Sequence, residues 1–65
     1  MHYKFIRLPE VKARTGKSKT TIYREIKGGK FPRQISNGEG TVAWLESEII
    51  KWQEEKINSR IASRR

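Results

Sequence analysis

Sixty-five residues with 15 Lys and Arg against 7 Glu give a net charge of +8, and cysteine and aspartate are both absent. A chain of this size forms one domain that buries only about 60% of its unfolded surface, so it has a thin stability margin and no room for a deep catalytic cleft. Disulfides, thiolate nucleophiles and zinc–thiolate sites are excluded with the cysteines.

Pro9 suits the first position of a helix, where its missing N–H would be unpaired anyway, and Glu10 complements the helix dipole. The spacing of Leu8, Val11 and Thr15 predicts a short helix over 9–15, stopped by Gly16 in a left-handed conformation. Ser18 is placed as N-cap of a second helix running to Lys27. In it Ile22 and Ile26 point inward with Tyr23 beside them, while Lys19, Thr20, Arg24 and Lys27 face outward. Gly28-Gly29 ends this helix. Two helices joined by a three-residue turn containing glycine make a helix-turn-helix, whose second helix reads the major groove.

Phe31-Pro32 biases the chain to an extended path, and Arg33-Gln34-Ile35 reads as a short strand with Ile35 turned inward. Asn37-Gly38 signals a hairpin, lengthened by Glu39-Gly40, and the return strand places Val42 and Trp44 on one face. A last helix is expected from Leu45 or Ser47 to Ser59, with Leu45, Ile49 and Trp52 on its inward stripe and Ile50, Ile57 and Ile61 on a second one. Residues 60–65 read as a basic disordered tail. The fold class is mainly α with a small β-hairpin, a winged helix-turn-helix filling residues 1–65 as one DNA-binding domain.

Charge is uneven along the chain. Residues 1–45 hold ten basic and three acidic side chains, residues 46–59 two and four, and residues 60–65 three basic ones. The electropositive first two thirds favour a polyanion, because neutralised phosphates release condensed counterions. Lys19, Thr20 and Arg24 are the candidates for base edges, since Lys or Arg bonds guanine and the threonine methyl meets that of thymine. Lys17, Ser18, Thr21, Tyr23, Lys27, Arg33 and Asn37 are the candidates for the DNA backbone. Trp44 and Trp52 fall on inward faces and read as core.

Other chemistry finds no support. His2 is the only histidine and has no Cys, Asp or second His with which to hold a metal, so no metal, cofactor or catalytic residue is expected. Glu54 and Glu55 are helix neighbours about 100° apart and read as a solvated face. No apolar run exceeds the four residues from Val42 to Leu45, against roughly 20 for a bilayer span, and no secretory h-region is visible, which predicts a cytoplasmic, nucleoid-associated protein without a membrane partner. Non-specific single-strand or RNA binding would call for aromatics on an exposed sheet face, and the wing offers none outward. A protein-interaction or antitoxin-like module would use the Ile50/Ile57/Ile61 stripe and be indifferent to salt.

Arg7-Leu8-Pro9-Glu10-Val11, Thr15-Gly16 with Ser18, Thr21-Ile22-Tyr23-Arg24, Gly29 with Phe31-Pro32, and Val42-Ala43-Trp44-Leu45-Glu46-Ser47-Glu48-Ile49 with Trp52 together resemble the AlpA family of prophage-associated regulators, grouped with excisionases and MerR-type domains. The resemblance covers about residues 6 to 57. It implies a sequence-specific double-stranded DNA-binding regulator of phage or mobile-element transcription, or alternatively an excisionase-like architectural factor. A single module of this size covers little DNA, so high specificity calls for self-association on adjacent sites, a DNA bend, or a second protein such as an integrase or RNA polymerase. Members often carry an arginine just before the Val-Ala-Trp strand, where this chain has Gly38-Glu39-Gly40-Thr41. Glu39 is repelled by phosphate, so wing contacts fall to Arg33 or Asn37.

Overall fold

A computed structural model describes residues 3–36, 38 and 40–63, with side chains through Arg60. In chain order it contains β1 (Phe5–Ile6), α1 (Leu8–Thr15), α2 (Lys19–Lys27), β2 (Ile35–Ser36), β3 (Val42–Leu45) and α3 (Glu46–Ser63). This is the expected winged helix-turn-helix, with one strand more than the sequence suggested. The three strands form an antiparallel sheet in the order β1-β3-β2.

Cross-strand pairing sorts the side chains of the sheet. Ile6 lies opposite Trp44, and Ser36 opposite Val42, while Phe5 faces Leu45 and Ile35 faces Ala43. Since neighbours along a strand point to opposite faces, Ile6 and Trp44 share the helix-facing side, and Phe5, Leu45, Ala43 and Ile35 share the other. The expectation that Ile35 turns inward is thereby corrected: it is exposed, because its register with Ala43 assigns it to the outer face. A one-residue register difference suffices to reverse a side chain's face.

The core comprises Ile6, Val11, Ile22, Phe31, Trp44 and Ile49, drawn from β1, α1, α2, the α2–β2 linker, β3 and α3. Every element except β2 therefore contributes, and Leu8, Tyr23, Ile26, Val42 and Trp52 pack around them. Arg14 fastens α1 to the start of α3. Its guanidinium bonds Glu10 at 2.6 Å and Glu46 at 2.9 Å, while its carbonyl accepts from the Gln53 amide at 3.0 Å. Hydrogen bonds to Glu46 and then Glu10 raise the Arg14 pKa further above its usual range, so it stays charged.

Two further expectations change. Leu45 ends β3 rather than opening the last helix, because its pairing with Phe5 holds it extended. α3 runs to Ser63, four residues past the predicted end, with side chains 54–60 all exposed. Ile50 and Ile57 of the second stripe are exposed, whereas the side chain of Ile61 lies outside the described residues. No helix among the described residues is long and apolar enough to cross a membrane.

Candidate nucleic-acid interface

The turn between α1 and α2 is specified residue by residue. Gly16 takes φ 71°, and its N–H closes α1 on the Lys12 carbonyl at 2.8 Å. That left-handed conformation strains any residue with a Cβ. Thr15 donates its hydroxyl to the Val11 carbonyl at 2.8 Å and accepts from the Lys17 N–H at 3.3 Å. Ser18 is extended, and its Oγ accepts from the Thr21 N–H at 3.2 Å while donating to the Thr21 hydroxyl at 3.0 Å. The N-cap therefore forms as the sequence predicts.

The far end of α2 closes with equal definition. The Gly29 N–H bonds the Ile26 carbonyl at 3.0 Å and the Lys30 N–H bonds that of Glu25 at 2.8 Å, with Gly29 at φ 75°. These paired bonds around a left-handed glycine are a Schellman cap. Between the caps, Ile22 is fully buried, Ile26 and Tyr23 are half-buried, and Lys19, Thr20, Arg24 and Lys27 are exposed. Tyr23 leans toward Trp44 with ring centroids 6.2 Å apart.

The structure brings Lys19, Thr20, Arg24 and Lys27 onto one solvent-facing side of α2, beyond reach of any ion-pair partner among the described residues. Lys17 sits differently. Its ammonium bonds the Glu25 carboxylate at 3.0 Å and lies 5.5 Å from the centroid of the Trp52 ring. Arg33 is exposed in the linker before β2, since the strand expected over 33–35 forms only at Ile35–Ser36, whereas Asn37 and Glu39 lie outside the described residues.

Two bonds that sequence reasoning missed fix the path from α2 to the wing. The indole N–H of Trp52 donates to the Lys30 carbonyl at 3.0 Å, and that of Trp44 to the Pro32 carbonyl at 2.9 Å. Phe31, between them, packs edge-on against Trp52 at 4.9 Å. Trp44 is the deep core residue, while Trp52 is only half-buried and works as a strap over the linker. Burial alone suggests that a tryptophan N–H needs an acceptor. Which carbonyl it finds depends on the folded path.

A glycine-stopped helix, a capped second helix with a cationic outer side, and a short hairpin flanked by a closing helix define the winged helix-turn-helix class. Residues 4–57 match the model of the prophage CP4-57 regulatory protein (AlpA) family, and the chain belongs to this regulatory family. It is also 46% identical over 57 residues to a protein of Enterobacteria phage P4 described as uncharacterized protein ORF88. That alignment covers 88% of this chain and 65% of the phage protein, so the chain spans about two thirds of its relative's length.

Proposed function

We propose that the chain is a sequence-specific double-stranded DNA-binding protein that regulates transcription of phage or mobile-element genes, with α2 in the major groove. The carrying observation is the outer side of α2, where Lys19, Thr20, Arg24 and Lys27 are exposed together while Ile22 anchors the back of the helix. Cations and short polar groups at the start of such a helix are what base edges and phosphates require. Lys19, Thr20 and Arg24 are the residues assigned to bases. Lys17, once released from Glu25, is assigned to the backbone with Ser18, Thr21, Tyr23, Lys27, Arg33 and Asn37. Family membership supports a regulatory role in a prophage setting.

In this reading the chain acts as one DNA-binding domain in the compartment that holds the DNA. A module of this size covers roughly 600 to 1,000 Å² of its own surface on a duplex. High specificity then requires adjacent copies, a DNA bend, or a second protein such as an integrase or RNA polymerase. The test begins with duplexes selected from a random pool. Lys19→Ala and Arg24→Ala should each lose about 1 to 3 kcal/mol on the selected site with the fold intact. Unchanged binding by both variants rejects this placement of the reading helix.

A further inference from the structure

We propose that the outer face of the sheet is a second nucleic-acid site, a stacking platform for unpaired bases built from Tyr3 and Phe5 with Arg7 at its rim. β1 creates it. The Glu46 N–H bonds the Lys4 carbonyl at 2.8 Å, so the β1–β3 ladder extends outward past Phe5 and keeps the chain extended there. Alternation then sends Tyr3, Phe5 and Arg7 to one face. Tyr3 is 62% exposed and Phe5 56%, and Phe5, Arg7, Ile35, Ser36 and Ala43 line a shallow pocket of about 290 Å³ with small Ala43 as its floor.

Three of the five large exposed hydrophobic side chains among the described residues, Tyr3, Phe5 and Ile35, thus gather on the outer face of the sheet. Exposed apolar patches of this kind mark binding surfaces. Charge selects the occupant. A second copy would bring its own +8 against this one, while a polyanion is attracted. Two aromatic rings with an adjacent cation suit a strand whose bases stack and whose phosphates follow, whatever the sequence. Tyr3 and Phe5 sit about 6.7 Å apart along the strand, close to one nucleotide step of an extended single strand.

The platform is separate from α2. Trp44 projects from the other face of β3 and packs with Ile22 and near Tyr23, so the sheet stands between α2 and the outer face. Single strands on the sheet and a duplex on α2 therefore use different residues, and the inference survives failure of the α2 reading.

The experiment measures anisotropy of labelled oligothymidylate, oligouridylate and a mixed-sequence duplex with the full chain and its Tyr3→Leu, Phe5→Leu and Phe5→Trp variants. Leucine keeps the face apolar and removes the π-surface. Each leucine variant should weaken single-strand binding by about 5- to 150-fold while leaving duplex binding and thermal stability unchanged, and Phe5→Trp should retain it. The two single-stranded probes show whether the site prefers DNA or RNA. Undiminished single-strand binding by the leucine variants overturns the platform, as does a parent chain that binds neither oligonucleotide. Loss of duplex and single-strand binding in parallel overturns its independence from α2. Capture of an acidic peptide by this face, in place of oligonucleotides, reassigns it to a polypeptide partner.

Discussion

Replacing Glu25 with Gln should make DNA binding steeper in salt, an outcome that follows from where Lys17 is tied. The Lys17 ammonium is bonded to Glu25 at 3.0 Å, with about a quarter of each side chain exposed (24% and 26%), and so is held from a phosphate. Of the cations assigned to the DNA backbone, Lys27 and Arg33 remain exposed without an ion-pair partner among the described residues. Each cation that neutralises a phosphate contributes about −0.9 to the slope of log K against log salt, so two give about −1.8, a loss of about 12-fold between 50 and 200 mM. Freeing Lys17 adds a third, taking the slope to about −2.7 and the loss to about 40-fold. The pair itself is worth at most about 1 kcal/mol, against a total of roughly 3 to 10 kcal/mol for a domain of this size, so the variant should stay folded. Anisotropy titrations of a labelled duplex over a potassium chloride series read the slope directly. Glu54→Gln is the control, because it raises the net charge equally from an exposed position on α3. A Glu25→Gln slope no steeper than that of Glu54→Gln refutes the reasoning and leaves Lys17 without a route to DNA.

The remaining predictions concern the scaffold that presents α2. Trp44→Phe removes part of a fully buried ring and leaves the Pro32 carbonyl without its donor, a loss of about 2 to 4 kcal/mol that should lower Tm by at least about 10 °C. A Tm within about 2 °C of the parent contradicts the core assignment. Ser18→Ala should cost about 1 kcal/mol in urea denaturation and Ser18→Gly only a few tenths, the order expected of an N-cap; the reverse order would place the effect elsewhere. Gly16→Ala meets no neighbouring atom within 4 Å, so its whole cost is the left-handed backbone, about 1 to 2 kcal/mol. Gly16→Asn should recover part of that by calorimetry, and failure to do so would point to a contact at this position.

Local chemistry made the helix-turn-helix legible. Pro9, Gly16, Ser18 and the Gly28-Gly29 pair each fix a backbone angle or a hydrogen bond within a few residues, and the observed helices begin and end within one residue of the expected bounds. β1 was not legible, because two residues provide no period and their partner, β3, lies about 40 positions away. Its omission also hid Tyr3 and Phe5, for the wing alone presents no outward aromatic. Ile35 misled for a related reason. An isolated isoleucine in a short strand carries no register, and the decision between faces belongs to Ala43 across the sheet. On α2 the exposed side was evident from the spacing of Ile22 and Ile26, but the union of Lys17 with Glu25 spans eight residues and a turn. Sequence spacing identifies which groups are cationic; tertiary geometry decides which of them are already neutralised.

The two indole donors that grip the Lys30 and Pro32 carbonyls give the molecule a built-in gauge. They bracket the linker that joins α2 to the hairpin, a stretch that would have to flex if the hairpin adjusted to a duplex. A swing would lengthen one or both bonds, and the two indole protons would then exchange faster with solvent and shift in the NMR spectrum. If both signals hold still on saturation with DNA, the helix and hairpin dock as a preformed rigid clamp, and any distortion needed for fit must come from the nucleic acid.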